Sequence, residues 1–243
     1  LRHEIHENPE LCYKEAGTAQ RVLKHIESIE GLEIRTGVAE TGIVATLDAD
    51  KSGPCVALRA DMDALPMEET NDVSYKSKVP GKMHACGHDG HTSCLVGAVK
   101  VLSQIRDELE GPVRFVFQPA EEGGAGGKRM CEEGALEDPK VDAIFGFHGW
   151  PALPQGEVGV HAGAFLASSD TFDITIEGTG SHAAFPHLGV DPIVVASHVI
   201  TAIQSIVSRT TDPLSCAVVT VAEVKAGTTY NIIPQTATLK GTI

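Results

Sequence analysis

The chain has 243 residues, 42% of them hydrophobic and 21% charged, which is the composition of a globular protein with a buried core in one large domain or two smaller ones. Asp and Glu outnumber Lys and Arg by 33 to 19, and the resulting formal charge of −14 argues against a nucleic acid or an anionic membrane as the partner. No apolar run approaches the roughly 18 residues of a membrane helix, so the sequence also argues against a spanning protein.

The first part of the chain alternates between helical patterns and short apolar runs. Apolar residues recur at helical spacing over residues 15–29 and 90–109, and a shorter helix is expected over 127–133. The predicted strands, rich in β-branched and aromatic residues, are 42–47, 56–60, 113–117 and 143–147. Strands and helices that alternate in this way predict an α/β fold, with a mostly parallel sheet covered by helices.

A second set of elements follows a stretch rich in proline and glycine. The predicted order is strand, helix, strand, strand, over residues 171–177, 191–208, 216–224 and 237–243. This is the order with which a ferredoxin-like α+β sandwich begins. We therefore predict two domains, residues 1–165 and 166–243, with their boundary near residues 163–170.

Polar side chains follow three of the predicted strands in the first domain. Asp61 and Asp63 follow the second strand, Glu121 and Glu122 the third, and His148 the fourth. Ligands of open parallel sheets bind beyond the carboxyl ends of the strands, so we expect these side chains to gather at one edge.

A loop with three histidines and one cysteine directly precedes the long helix. In this loop, HACGHDGH at residues 84–91, one residue separates Cys86 from His88, and in an extended chain both side chains would face one side. Cysteine, histidine and carboxylates are ligands of zinc and similar ions. A single such histidine would usually be a solvated turn residue, but this density favours a metal site. A role for Cys86 as a thiol nucleophile is left open.

Two adjacent glutamates, Glu121 and Glu122, stand between a predicted buried strand and a glycine-rich run. Such pairs are commonly surface charge. Neighbouring residues of an extended chain face opposite ways, so one carboxylate could bind a metal while the other takes a proton from metal-bound water. His148, taken alone, fits a ligand and a buried structural histidine equally well.

Other catalytic motifs are not matched. Residues 178–183 have the spacing of a dinucleotide fingerprint, but Pro186 breaks the helix that should follow, and no carboxylate lies about 20 residues further on. The sequence contains neither a P-loop nor a G-x-S-x-G motif. The six cysteines are expected to be mostly free thiols in a reducing compartment, with disulfides as the alternative.

Three segments closely resemble the amidohydrolase branch of the aminoacylase/carboxypeptidase metallopeptidases, which includes hippurate hydrolases, N-acyl-amino-acid amidohydrolases and auxin-conjugate hydrolases. They are RADMDALP at 59–66, HACGHDGH at 84–91 and QPAEEG at 118–123. Residues 1–11 look like the N-terminal signature of that branch, and residues 180–186 and 230–234 resemble its lid-domain motifs. The resemblance covers essentially the whole chain.

The resemblance implies a centre with two divalent metal ions per subunit. The residues that match metal ligands are Cys86, His88, Glu122 and His148. Glu121 matches the general base, and Asp63 matches a carboxylate behind the metals that orients a ligand. Zinc or manganese would suit these ligands best, with cobalt or nickel as further options.

The resemblance also implies an inserted ferredoxin-like lid and dimerisation domain. His182 and Asn231 match lid residues that contact the substrate and help to hold the developing oxyanion, and His182 would act across a homodimer interface. The family supplies one more histidine ligand after the lid, and here the lid lacks its second helix and last strand. We therefore expect the chain to be part of a longer protein.

These inferences predict a metal-dependent hydrolase that cleaves the amide bond of an N-acyl amino acid or a similar small conjugate. We expect a cytoplasmic protein, although an upstream signal sequence is left open. One alternative is a metalloexopeptidase that acts on dipeptides or peptide C-termini. Another, for this chain alone, is a non-catalytic metal-binding or dimerisation module.

Overall fold

The structure, a computed structural model, describes all residues from Leu1 to Ile243. The chain divides into two compact units, Leu1–Glu157 and Val158–Ile243. This division falls a few residues before the boundary that the sequence predicts. All six cysteines are free thiols.

The first unit contains a five-stranded sheet in the order β1-β2-β4-β3-β5. The strands are β1 (Leu32–Val38), β2 (Gly42–Leu47), β3 (Cys55–Asp61), β4 (Val113–Gln118) and β5 (Val141–Gly146). The pairs β3–β4 and β3–β5 are parallel, and the pairs β1–β2 and β2–β4 are antiparallel. The sheet is therefore mixed, and the prediction of a mostly parallel sheet is wrong. The connection between β1 and β2 is too short to hold the crossover that parallel neighbours need.

Strand β1 was not anticipated from the sequence. It lies at the edge of the sheet and forms a hairpin with β2 through a turn in which Ala39 and Glu40 both have positive φ. Leu32 and Ile34 alternate with charged residues, which is the pattern of a strand with one buried face. The strand contains too few apolar residues to stand out from a loop.

Four helices belong to the first unit: α1 (Arg2–Glu7), α2 (Ala16–Ile26), α3 (His88–Gln104) and α4 (Gly126–Glu132). The three helices that the sequence predicts are confirmed as α2, α3 and α4, and α1 is additional. Helices α2 and α3 pack Val22, Ile26 and Val99 against Phe115 and Phe117 of β4 in the main core. Strands β2 and β4 are buried along their whole length, so they form the centre of the unit.

The other edge strand, β5, exposes much of its apolar surface. Ile144 and Phe145 are 47% and 62% exposed, and Phe147 just beyond the strand is 56% exposed. Because β3, β4 and β5 run in parallel, their carboxyl ends lie at the same edge of the sheet. Polar residues that follow these three strands are thereby brought together.

The second unit combines one long helix with short strands. Its elements are β6 (Thr171–Glu177), β7 (Ser181–His182), α5 (Pro192–Ser205), β8 (Thr220–Ala226), β9 (Ile232–Ile233) and β10 (Thr236–Thr242). Strands β6, β10 and β8 form an antiparallel sheet, and β7 pairs with β9. The predicted order of strand, helix, strand, strand is present, and the short pair β7–β9 is additional. The buried core is small and consists of Ala196, Ala237 and Leu239.

Helix α5 continues to Thr210, and by length and composition alone this helix could cross a membrane. This finding differs from the sequence analysis, which finds no apolar run long enough for a membrane helix. A single helix of this kind is weak evidence for a span. One face packs on the sheet of its own unit through Ala196, Val199 and Ile200, as in helices that cover a sheet.

Candidate metal centre

Side chains with metal-binding atoms converge beyond the ends of β3, β4 and β5. The ligand atoms of Cys86, His88 and His148 all lie within 4.8 Å of one another, and the same holds for His88, Glu121 and Glu122. Nε2 of His88 is 3.9 Å from Oε1 of Glu122 and 4.0 Å from Oε2 of Glu121. The two groups share His88, so the other four side chains each place a ligand atom within 4.8 Å of this histidine.

A left-handed glycine brings Cys86 and His88 together. Gly87 has a φ of +87° and is the residue that precedes the first turn of α3. The loop therefore turns at this residue, whereas the sequence analysis assumed an extended chain. Cys86 and His88 face the same centre because the chain turns at Gly87, where a residue with a side chain would be strained.

Main-chain carbonyl groups fix the orientation of both histidines. Nδ1 of His88 lies 2.8 Å from the carbonyl oxygen of Asp63, and Nδ1 of His148 lies 2.8 Å from that of Gly149. A carbonyl oxygen only accepts, so each Nδ1 carries the hydrogen and each Nε2 is left with a lone pair. Nε2 of His148 faces Sγ of Cys86 at 3.3 Å.

The centre contains an orphaned buried atom, Nε2 of His88, which has no hydrogen-bond partner. Buried polar atoms without partners are rare in folded proteins. A divalent cation would satisfy this lone pair, and thiolate, imidazole and carboxylate donors surround it. The residues present therefore fit a metal ion of the zinc type.

Asp63 holds the chain that carries the two glutamates. Its carboxylate accepts hydrogen bonds from the main-chain N–H groups of Glu121 and Glu122, both at 3.0 Å, and its Oδ1 lies 3.4 Å from Nδ1 of His88. Burial would raise the pKa of Asp63, but the His88 imidazole and the two N–H groups outweigh it and lower the pKa. The ionised carboxylate thus contacts the two N–H groups and the His88 ring on the side of the ring that carries Nδ1, away from Nε2.

A second buried carboxylate, Glu15, supports the same segment, and the sequence analysis did not identify it. Oε1 of Glu15 accepts the N–H of Ala120 at 2.9 Å, and Oε2 accepts the hydroxyl of Thr41. Glu15 is fully buried. An acidic residue just before a helix is common, so nothing in the sequence distinguishes it.

The two glutamates lie in a turn rather than in an extended stretch. Ala120 has a φ of +54° and Gly123 a φ of +91°, so the chain curls around Glu121 and Glu122. Both carboxylates face Nε2 of His88, and the expectation that they face opposite ways is wrong. Three successive N–H groups bound to Asp63 and Glu15 determine this turn.

The charge of the cluster shifts the pKa of its acids. Burial and the charge of Glu122 raise the pKa of Glu121, although His88 and Arg59 act against this. Burial and the carboxylate of Glu122 raise the pKa of the Cys86 thiol to about 12. A thiol with such a pKa is a poor nucleophile, which argues against the nucleophile alternative, whereas a bound cation would stabilise its thiolate.

The remaining histidines of the loop lie beside the centre. His84 is buried, neither of its ring nitrogens has a partner, and burial lowers its pKa to about 4. His91 forms a further group with Asp61 and His88. Asp61 is buried, which would raise its pKa, but hydrogen bonding from His91 and the nearby charges of His88 and Arg59 lower the pKa to about 2.

His182 and Asn231 belong to the second unit and lie near each other there. The N–H of Ala183 donates to the carbonyl oxygen of Asn231 at 3.0 Å, where β7 pairs with β9. Both side chains are exposed. Nδ1 of His182 accepts the N–H of Ala184 at 3.1 Å, so its Nε2 faces no protein partner within the unit.

Known proteins match the whole chain. A profile of peptidase family M20/M25/M40 matches residues 57–240. An IAA-amino acid hydrolase of Arabidopsis thaliana is 48% identical over 243 residues, which are 100% of this chain and 54% of that protein. The N-acetyl-L-cysteine deacetylase of Bacillus subtilis is 44% identical over 243 residues, 100% of this chain and 58% of its own length.

A solved structure agrees with these matches. A dinuclear metal-binding peptidase of the M20 family from Bacillus subtilis superposes with a TM-score of 0.75 at 40% identity, covering 99% of this chain and 61% of that one. The chain thus spans little more than half the length of the proteins that it matches.

Proposed function

The chain belongs to peptidase family M20/M25/M40, and from that premise we propose that it carries the metal centre of a hydrolase that cleaves the amide bond of N-acyl amino acids or similar small conjugates. One observation carries the proposal: His88, whose buried Nε2 has no hydrogen-bond partner, belongs to two groups of metal-binding side chains, one with Cys86 and His148 and one with Glu121 and Glu122. The substrate class is supported by two relatives, one named for the hydrolysis of IAA-amino acids and one for the deacetylation of N-acetyl-L-cysteine.

In this proposal two divalent ions are held by Cys86, His88, Glu122 and His148, with zinc or manganese as the best fit and cobalt or nickel as further options. When bound, the ions supply an acidified water and positive charge against the acyl oxygen. A solved relative of the family is named as a dinuclear metal-binding protein, which supports the number of ions.

Glu121 is proposed as the general base. Its carboxylate lies at the centre but is 41% exposed, so a water and a substrate can reach it. The raised pKa of Glu121 suits a group that takes a proton from the attacking water and returns it to the leaving amine. The hydroxyl of the water joins the acyl carbon, and its proton ends on the amine nitrogen. Asp63 keeps the turn with Glu121 in place.

His182 and Asn231 are proposed to contact the substrate and to hold the developing oxyanion. Their support is the exposure of both side chains and their proximity on β7–β9. We propose further that the second unit forms a homodimer and that His182 serves the neighbouring subunit. Exposed apolar side chains on α5, such as Ile193 and Val194, are consistent with such a contact. The free thiols are consistent with a cytoplasmic location.

The proposal is tested with Glu121→Gln. Loss of a general base typically costs about 10²–10⁴-fold in turnover, and we expect a fall in this range at an unchanged metal content. Glu132→Gln, at an exposed position on α4, is the matched control and should keep full activity. A Glu121→Gln variant that retains most of its activity would refute the mechanism.

Two alternatives remain testable in the same preparation. The solved relative is named a peptidase, which favours an exopeptidase as the second candidate. A panel of N-acyl amino acids and dipeptides separates these activities by their relative kcat/KM. Stoichiometric metal without turnover on either class would instead indicate a non-catalytic metal-binding module.

A further inference from the structure

His91 is a buried histidine of the metal loop to which the proposed mechanism gives no role. Its side chain is only 4% exposed, and both ring nitrogens have partners in the first unit. Nδ1 lies 2.7 Å from Oδ1 of Asp61, at the end of β3. Nε2 accepts the main-chain N–H of Gly149 at 2.9 Å, in the segment that follows β5.

These two contacts determine the position of the ring hydrogen. The N–H of Gly149 can only donate, so Nε2 of His91 must be the acceptor and carries no hydrogen. Nδ1 then carries the hydrogen and donates it to the Asp61 carboxylate. Asp61 is itself held by Nη1 of Arg59 at 2.7 Å. His91 is therefore a neutral bridge of fixed orientation between β3 and the segment after β5.

The bridge ends next to a candidate ligand. Gly149 directly follows His148, and its carbonyl oxygen accepts Nδ1–H of His148 at 2.8 Å. The rings of His91 and His148 have their centroids 4.7 Å apart. Apart from its contact with Cys86, the exposed His148 ring makes no other side-chain hydrogen bond. His91 thus fixes the peptide group between His148 and Gly149, and the carbonyl of the next peptide group orients the His148 ring.

We propose that His91, held by Asp61, is a positioning residue that sets the metal-binding geometry of His148. It acts by fixing the peptide group between His148 and Gly149, and it does not bind the metal, since its Nε2 lone pair already accepts the N–H of Gly149. The inference rests on the proposed function, because His148 matters as a ligand only if the centre binds a metal. Partners that orient a ligand in this way typically contribute about 10–100-fold to metal affinity.

The first test measures metal affinity by chelator competition, with cobalt(II) as the probe and its visible absorption as a second readout. We expect His91→Ala to weaken cobalt binding by about 10–100-fold and to change the absorption of the bound ion. His198→Ala, at an exposed histidine of the second unit, is the control and should bind as the wild type does. An unchanged affinity and spectrum in His91→Ala would overturn the proposal.

A double-mutant cycle tests whether His91 acts through His148. If it does, His91→Ala combined with His148→Ala should bind cobalt no more weakly than His148→Ala alone. Losses that simply multiply would show that His91 acts by another route. A substitution that keeps the acceptor should restore function: His91→Gln can place its amide oxygen near the Gly149 N–H, and we expect an affinity within a few-fold of the wild type.

The last test needs neither metal nor activity, nor any variant that could misfold. Nitrogen-15 NMR of the chelator-treated wild-type protein reports the tautomer of each imidazole. We expect His91 as the neutral Nδ1–H form, and an Nε2–H or charged ring would refute the bridge. If the wild type binds no divalent ion, the proposed function fails, yet this measurement still decides the hydrogen-bonded bridge.

Discussion

The polar residues of the two units differ in how they are held. In the first unit, buried carboxylates bind the main chain next to the candidate ligands: Asp63 holds Glu121 and Glu122, and Glu15 holds Ala120. In the second unit, the side chains of His182 and Asn231 are exposed and form hydrogen bonds only with residues two positions away. The geometry of the metal centre is therefore built into the fold. The geometry of the His182 and Asn231 side chains depends on what they contact.

The core sizes follow the same division. The first unit has a continuous core on which α2 and α3 pack, and the buried centre of the sheet ends directly at the site. The core cluster of the second unit has only three buried apolar residues, one on α5 and two on β10. Burying a carboxylate costs free energy that complete hydrogen bonding must offset, so the loss of a partner is costly where water is excluded. Substitutions should thus be costly in the first unit and mild at the exposed pair.

The largest effect is expected for Asp63→Ala. It leaves the partly buried N–H groups of Glu121 and Glu122 without their partner, and the loss at a buried group costs about 1–3 kcal/mol. We expect the free energy of unfolding to fall by about 4 kcal/mol and metal affinity to fall by about 100-fold. Urea unfolding and chelator competition measure the two quantities.

The matched variant Asp63→Asn keeps one acceptor oxygen, so both losses should be clearly smaller. If Asp63→Ala unfolds like the wild type, the buried carboxylate does not stabilise the turn. The contrast between the two units would then disappear.

The next effect concerns the buried His84. Its pKa of about 4 lies below the usual 6.5, so between these values the unfolded chain binds more protons than the folded one. The free energy of unfolding therefore keeps its full value, as far as His84 is concerned, above pH 6.5, and it decreases as the pH falls towards 4. A shift of this size corresponds to about 3 kcal/mol.

The measurement compares chelator-treated wild type with His84→Phe, which cannot titrate. The variant should gain about 3 kcal/mol of stability relative to the wild type between pH 7 and pH 4. Other titrating groups are common to both proteins and cancel in the difference. A pH-independent difference would mean that His84 is solvated in solution.

The smallest effect is expected for His182→Ala. Surface substitutions usually change stability by less than about 0.5 kcal/mol, and metal affinity should also be unchanged. Only turnover should fall, because the proposed contact forms with the substrate. A lowered metal affinity in this variant would contradict the view that the first unit alone determines the geometry of the metal centre.

Much of the site could be predicted because its chemistry lies in short segments. Donor residues that follow neighbouring parallel strands must meet at one edge, and Glu121, Glu122 and His148 do so, close to Cys86 and His88 at the start of α3. Helices with clear periodicity were also predictable. These features depend on local sequence and on the parallel arrangement of β3, β4 and β5.

Other features could not be read from the sequence, because they depend on contacts between distant residues. Glu15 binds a peptide group that lies 105 positions away, and His91 binds one 58 positions away. The directions of Glu121 and Glu122 follow from the left-handed Ala120, a conformation that alanine rarely adopts. Strand β1 was missed because an edge strand needs only one apolar face.

The exposed edge at β5 has a consequence for the protein in concentrated solution. An edge strand presents unpaired main-chain N–H and C=O groups, and here Ile144 and Phe145 add apolar surface beside them. Such an edge is a template for pairing with a strand of another chain, and no proline or lysine within Val141–Gly146 blocks it. A second copy of this chain, which spans little more than half the length of its relatives, can therefore pair at this edge, two residues before the candidate ligand His148.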